Sequence, residues 1–335
     1  MSKTILFLLK SQKTPSSRIR IAELLPFLDD RGIKAEIEFI PKSFFARRRL
    51  FKKCKEFDLT VFQKRMFSMF EFFELRKYAR RLAFDFDDAV FMKNAAPSLK
   101  EADYVSRTRQ IRFRRILTHI DFAIVANSYL ADACRDTAPG TKVFILPSSV
   151  DMAGLEYKED YTLASPPVIG WIGSKVTHRY LEHLAPALCE LRRKREFVLN
   201  VISDKELNIP GLEVNNIQWS REVENCEIRK FDIGIMPLSE DPFSRGKASY
   251  KLLQYMAAGV PSVASAVGMN IEVAGENSEY AMLADTPDAF ISAISELMES
   301  LELRTSLGKN GREKIVDKYS KEIIGAKFAE IMGEC

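Results

Sequence analysis

Two runs of alternating strand-like and helix-like segments, separated by a polar stretch, constrain this chain more than any other feature. In the first run, residues 4–9, 35–40, 58–62, 82–86, 122–126 and 143–146 read as strands. Helical stretches lie between them. Residues 16–30 carry Ile19, Ala22, Leu25 and Leu28 on a roughly helical period, with Ser16 or Ser17 as N-cap and Gly32 closing the helix. The pattern stops at Pro147, and the polar residues 152–165 end in Pro166-Pro167. It then restarts, with strands expected at 168–172, 197–202, 233–236, 261–264 and 280–283. Helices are expected at 177–191 (kinked or split by Pro186), 248–258, 287–300 and 303–318. Strands separated by helices predict parallel βαβ units. The fold class is therefore α/β, with two doubly wound, Rossmann-like domains over residues 1–160 and 165–320. The chain's 335 residues suit that number. Such sheets bind ligands at the carboxyl ends of their strands. With those ends facing, a ligand sits in the cleft between the domains.

Other classes fall away on composition. No apolar run approaches the roughly 18 residues of a membrane span. The apolar start at residues 5–9 is too short for a signal-peptide core and reads as a buried first strand. Cys54, Cys134, Cys189, Cys226 and Cys335 are scattered and form no C-x-x-C pair, which fits a reducing, cytoplasmic compartment and no disulfide framework. His178 and His183 lie five apart, which is poor spacing for one helix face, so no metal cluster is expected. Charge is uneven. Residues 1–150 hold 29 Lys/Arg against 17 Asp/Glu, whereas residues 151–335 hold 21 against 29. The basic first half points to an anionic partner.

The chemistry concentrates in residues 231–273. A strand is followed by a polar loop with Ser239, Glu240, Asp241, Ser244, Arg245 and Gly246, and then by a helix expected to begin near Lys247. A helix start presents free N–H groups, which suit an anion. Lys247 and Lys251, one turn apart, would share one helix face and reach a diphosphate. Both also fit as solvated helix lysines. The turn Ser265-Ala266-Val267-Gly268-Met269-Asn270 follows the next strand, and Gly268 permits close backbone approach to a phosphate.

This stretch resembles the donor-binding half of nucleotide-sugar glycosyltransferases of the GT-B fold, of the family-4 kind. "KLLQYMAAGVPSVAS" carries the strongest match, joined by "IGWIGS" at 169–174 and "LRTSLGKNGREKIVDKYS" at 303–320. The first half matches more loosely through "SSRIRIAELLPFL", "FDFDDAVF" and "DFAIVANSYLAD". The resemblance implies a donor nucleotide in the second domain. Its diphosphate would meet Gly173, Ser174, Lys175, Lys247, Lys251 and the turn Gly268-Met269-Asn270, and Gln254 would stand where the family places a ribose-binding glutamate. Gly246 stands where the family places the other glutamate, with Glu240, Asp241 or Arg245 as substitutes. It also implies that the last helix, about 321–335, crosses back onto the first domain.

In the first half, Asp85, Asp87 and Asp88 gather at a strand end. Asp85 and Asp87 would share one face of a strand. One of the three fits a general base, Asp87 being the choice, with Asp85 and Asp88 binding an acceptor hydroxyl. Equally, one could cap the next helix and another pair with Arg80 or Arg81. The resemblance implies that the loop after the first strand lies near the transferred sugar and phosphate, with Arg18 and the Ser16 and Ser17 backbone amides as candidates there; equally, the segment reads as a capped helix with Arg18 solvated. His119 and His178 read as packed or hydrogen-bonded. The segment 42–55, KSFFARRRLFKKCK, forms a basic amphipathic helix. Its charges fit an anionic membrane surface at the inner face of the membrane. Its phenylalanines, and Phe67, Phe70, Phe72 and Phe73, fit the core.

The implied function is transfer of a sugar from a nucleotide diphosphate sugar to a glycan or glycolipid hydroxyl, as a hexosyltransferase of bacterial surface polysaccharide synthesis. Retention of configuration is implied. No metal or other cofactor is expected, since lysines supply the positive charge, and no nucleic acid is an expected partner. Two rivals stand beside this reading: a non-catalytic GT-B partner that binds a sugar nucleotide, and a nicotinamide-dependent dehydrogenase. The lack of G-x-G-x-x-G after the first strands counts against the second.

Overall fold

The computed structural model describes residues 3–11, 14–94 and 100–334. Met1, Ser2 and Cys335 lie outside the described residues. The chain divides into two compact units: Met1–Ser149 with Asp241–Ala248 and Lys321–Cys335, and Val150–Glu240 with Ser249–Ser320.

The first unit is built on β1 (Thr4–Leu9), β2 (Lys34–Phe39), β3 (Leu59–Gln63), β4 (Leu82–Phe86), β5 (Phe122–Val125) and β6 (Lys142–Ile145). They form a parallel sheet in the order β2-β1-β3-β4-β5-β6. Its helices are α1 (Pro15–Arg20), α2 (Pro26–Asp29), α3 (Phe44–Lys53), α4 (Met69–Tyr78), α5 (Arg107–Leu117) and α6 (Ser128–Thr137). Alternate strand residues serve opposite faces, as strand geometry requires. Leu6, Leu8, Phe62 and Phe84 pack with Phe51, Phe72 and Phe113 of α3, α4 and α5. Ile5, Phe7, Val61 and Ile124 pack on the other face.

The second unit repeats the plan with β7 (Val168–Ile172), β8 (Val198–Ser203), β9 (Val214–Gln218), β10 (Ile233–Met236), β11 (Ser262–Ser265) and β12 (Met282–Ala284). Their order is β12-β11-β10-β7-β8-β9, again parallel. The helices are α7 (His178–Lys194), α8 (Arg221–Glu227), α9 (Tyr250–Ala257), α10 (Met269–Ala274), α11 (Pro287–Glu299) and α12 (Leu301–Lys318). Residues 150–165 belong to this unit and are pinned within it by buried Asp232. Its carboxylate accepts from the Ala164 and Val168 N–H groups at 3.0 and 2.9 Å and pairs with Lys158 at 3.1 Å. The last helix, α13 (Lys321–Glu334), belongs to the first unit. Ile324, Phe328, Ala329 and Met332 bury beside β1, and Phe328 lies 5.9 Å from the Phe7 ring.

Some elements differ from the sequence pattern. The helix expected over 16–30 is broken into α1, a short 3-10 turn and α2, because Ile21 leaves the helical region and Pro26 starts a new turn. Thr14, not Ser16 or Ser17, holds the N-cap position. Conversely, α7 runs unbroken through Pro186. Strand β9, VNNIQ, has no apolar run to announce it, since it is a half-exposed edge strand.

One polar cluster crosses the carboxyl edge of the first sheet. Arg20 at the end of α1 is 1% exposed and pairs with equally buried Asp85 of β4 at 2.7 Å. Its other nitrogen donates to the Leu146 carbonyl at 2.7 Å. Gln63, ending β3, donates to Asp85 at 2.8 Å and accepts from the Ser17 hydroxyl at 2.7 Å. The arrangement ties α1 to β3, β4 and the end of β6. Removing one member of a buried pair leaves the other charge uncompensated, at a cost of about 3–5 kcal/mol. Asp85→Ala should therefore lower the unfolding free energy of the first unit by about that amount, measured by urea titration. A loss within error of zero would show that the network does not hold this edge.

Candidate functional site

In a doubly wound sheet, the crevice lies where the strand order reverses. For the first unit that point is between β1 and β3. Lys64 follows β3 directly and adopts φ 54°, a left-handed conformation uncommon for a lysine. Its ammonium pairs with Asp87 at 2.6 Å and Asp88 at 2.7 Å, just beyond β4, and lies 3.3 Å from the Ser16 hydroxyl. Burial alone would lower the affinity of Lys64 for its proton, but the two carboxylates outweigh it and hold the ammonium above the usual lysine range. Burial, with Asp88 beside it, raises the affinity of Asp87 for a proton above the usual carboxylate range, against the opposing pull of Lys64. A strained lysine, two carboxylates and a hydroxyl thus converge at the switch point. Sequence reasoning missed Lys64. The available signal was a charge placed immediately after a buried apolar strand.

Several expected groups in this unit do other work. Asp85 is buried against Arg20 and is closed to an acceptor hydroxyl. Arg80 and Arg81, expected as partners of one of the three aspartates, pair instead with Asp58 and Asp121. Arg18 turns away to Glu23 at 2.9 Å, so the buried arginine of this helix is Arg20. The Ser17 N–H is engaged by the Thr14 carbonyl and its hydroxyl by Gln63.

For the second unit the order reverses between β7 and β10. Tyr255 of α9 fastens these strands: its hydroxyl accepts from the Ile172 N–H at 3.0 Å and donates to the Ile235 carbonyl at 3.1 Å. Four residues earlier on the same helix, Lys251 lays its ammonium 5.4 Å from the centre of the Trp171 ring. Gly173, just past β7, makes this possible. A Cβ there would fall 2.5 Å from Trp171 and 2.7 Å from the Lys251 side chain. The end of β7 and the first turn of α9 therefore meet across a position where any Cβ would displace the Trp171 ring or the Lys251 stem. The buried Ser239 hydroxyl, three residues beyond β10, has no partner among the described residues.

The turn Gly173-Ser174-Lys175 is more occupied than expected. The Gly173 N–H donates to the Ile202 carbonyl at 3.0 Å, and the Lys175 N–H to Asp204 at 2.7 Å. His178 is buried, hydrogen-bonded to Ser203 at 2.7 Å and packed on Trp171; burial lowers its proton affinity. Gly268 has φ 54° and precedes α10. Met269 and Asn270 point inward. Met269 joins the core, and Asn270 accepts from the Ser249 hydroxyl at 2.7 Å and donates to the Ser265 carbonyl at 2.9 Å. Gln254 is 7% exposed, on the second turn of α9.

Lys247 and Lys251 do not share a helix face. Ser249 takes the left-handed conformation at φ 49°, so α9 begins only at Tyr250, and Lys247 lies in extended backbone. Residues 241–248 belong to the first unit, where Phe243 and Ala248 join the core and Asn127 donates to the Lys247 carbonyl at 3.0 Å. The Lys247 ammonium lies 5.1 Å from the Phe243 ring centre. Gly246 is packed so closely that a Cβ would fall 2.7 Å from the Ala89 side chain and 2.8 Å from its backbone nitrogen. A glutamate cannot stand there without moving the backbone. Asp241 caps this turn through the Phe243 and Ser244 N–H groups, leaving Glu240 and Arg245 as the exposed polar side chains of the loop. Among the described residues, no group of three His, Cys, Asp or Glu side chains is placed to hold a metal ion.

The first-unit cluster can be tested by titration. Asp87 should titrate above the usual aspartate value of about 3.9, followed by carboxyl-carbon NMR. In Lys64→Met its midpoint should rise further, since the opposing cation is gone. The native state then holds this proton more tightly than the unfolded chain. The resulting stability is greatest below the unfolded value and is lost as pH rises through the native one. A midpoint that stays put in the variant would separate Asp87 from Lys64.

Comparison with known proteins places these observations. The family described as "Glycosyl transferases group 1" matches residues 166–300. An MMP α-(1→4)-mannosyltransferase of Mycolicibacterium hassiacum is 26% identical over 178 residues, 49% of this chain and 42% of that protein. The chain thus spans less than half the length of that curated relative. Sucrose-phosphate synthase from Thermosynechococcus elongatus superposes with TM-score 0.77 at 15% identity, covering 99% of this chain and 98% of the other. A glycosyltransferase from Rickettsia africae gives 0.75 at 13% identity, with 99% and 98% covered. The Anabaena protein HepE, solved in complex with UDP and glucose, gives 0.70 at 15% identity, with 99% and 100% covered. The chain has the fold of the GT-B glycosyltransferases, and its second unit is similar in sequence to the group 1 glycosyl transferases.

Proposed function

We propose that this protein transfers a sugar from a nucleotide diphosphate sugar to a hydroxyl of a glycan or glycolipid. The observation that carries this reading is Lys251, held over Trp171 at the switch point of the unit that matches group 1 glycosyl transferases. Cleavage of the sugar–phosphate bond leaves growing negative charge on the diphosphate. The Lys251 ammonium and the positive dipole end of α9 stabilise that charge as it develops. Lysine and backbone dipoles supply the positive charge, so the reading needs no metal. Gln254 offers an amide to a ribose hydroxyl. In the first unit, Asp87 and Asp88, organised by Lys64, are the groups proposed to meet the acceptor.

Retention of configuration and a role in bacterial surface polysaccharide synthesis belong to the same proposal and rest on the resemblance. HepE was solved with UDP and the mannosyltransferase is named for its sugar. Uridine diphosphate is accordingly the first candidate for this chain. One observation favours a second reading, a sugar-nucleotide-binding partner without activity: the packing around Gly246 excludes the glutamate of the resembling family.

Calorimetry with UDP, GDP, ADP, CMP and dTDP should show one diphosphate binding clearly. Lys251→Ala should weaken it about 10–100-fold, the worth of a hydrogen bond to a charged group. Turnover of the matching nucleotide sugar then separates the readings. Binding with hydrolysis or transfer supports the enzyme, whereas binding with neither supports the inactive partner. Absence of binding by every diphosphate, or equal binding by the variant, would overturn the donor site.

A further inference from the structure

We propose that the outer faces of α3 and α4, at the carboxyl edge of the first sheet, dock on an anionic lipid bilayer. Both helices follow strands of one parallel sheet, so both begin at its carboxyl edge. Their inner faces bury Leu50, Phe51, Phe72 and Leu75 in one core. Two ion pairs fasten them side by side, Arg47 to Glu71 and Arg48 to Glu74, each at 2.6 Å. The phenylalanines of this region therefore divide. Phe51, Phe67 and Phe72 fill the core, whereas Phe45 and Phe70 are each 77% exposed. Phe44 and Met69 extend the exposed set on the same two first turns, and Phe73 on the second turn of α4.

Charge identifies what covers this patch. Residues 42–55 hold seven Lys/Arg and no Asp/Glu. The acids of α4 nearest to them, Glu71 and Glu74, are engaged by Arg47 and Arg48. Lys42 and Arg49 remain exposed and form no ion pair among the described residues. Exposed aromatic side chains together with exposed cations that form no ion pair fit a surface that is apolar beneath an anionic layer. A folded protein partner of ordinary composition offers the apolar surface without the uniform negative charge. Among the described residues no helix is long and apolar enough to cross a membrane, so contact of this kind would lie in the interface plane. The same edge carries Lys64, Asp87 and Asp88, so a lipid-linked hydroxyl would be presented beside them. The inference does not depend on the transferase reading.

The test is sedimentation of the full chain with phosphatidylcholine vesicles, with and without phosphatidylglycerol. The protein should co-sediment with the anionic vesicles at low salt and lose binding as ionic strength rises. Lys42→Gln and Arg49→Gln should each weaken binding roughly fivefold. Phe45→Ser with Phe70→Ser should weaken it about tenfold or more through the lost apolar contact. All four positions are exposed, so thermal midpoints should stay unchanged, and the charge variants stand independently of the aromatic ones. Failure to sediment with anionic vesicles at low salt would overturn the proposal. So would equal binding by all variants. A dimer in solution that dissociates in Phe45→Ser/Phe70→Ser, without vesicle binding, would instead make the patch a contact between copies.

Discussion

Burying Arg20 beside Asp85 sets the terms for the whole carboxyl edge of the first sheet. Neither charge is tolerable inside the unit alone, so each needs the other and a full set of hydrogen bonds. Gln63 and the Leu146 carbonyl complete that set. The consequence reaches beyond stability. With Asp85 engaged, Asp87 and Asp88 are the carboxylates left to Lys64. The division of labour among three closely spaced aspartates follows from which cation each can reach.

The second unit solves a similar problem by close packing rather than by charge. Gly173, Trp171 and Lys251 occupy a volume that a methyl group would overfill. Tyr255 bonds to backbone groups of both β7 and β10, which fixes α9 against the two strands flanking the switch point. A lysine placed over an indole keeps its charge while its stem is packed. This combination holds a cation in a defined place, where a solvated helix lysine would wander among rotamers. The proposal of glycosyl transfer rests on the fold and the sequence match, and these contacts are what let it name Lys251.

Much of the architecture was legible in the chain. Apolar runs at residues 4–9, 168–172 and 233–236 coincide with β1, β7 and β10, because strands buried on both faces of a parallel sheet read as near-continuous apolar runs. Strand β9 escaped notice because an edge strand need not be. The helix face expected to carry Lys247 with Lys251 failed for a backbone reason. Ser249 occupies a left-handed conformation that ordinary propensity does not foresee, and it shortens α9 by about a turn. The sequence pointed to Arg18 and passed over Arg20, since both follow the same strand and only packing tells which is buried.

The sequence by itself determined the two-fold repetition of βαβ units, the break between them, and a second half patterned like sugar-nucleotide transferases. These are local properties, written in periodicity, turn residues and short motifs. Tertiary structure alone decided that Lys64 meets Asp87 and Asp88, that Lys251 meets Trp171 and Gly173, and that Gly246 admits no side chain. It also decided which phenylalanines of α3 and α4 face outward. Such contacts join residues distant in the chain, and their energies depend on burial and on the partner's position. Neither quantity exists until the sheets have formed.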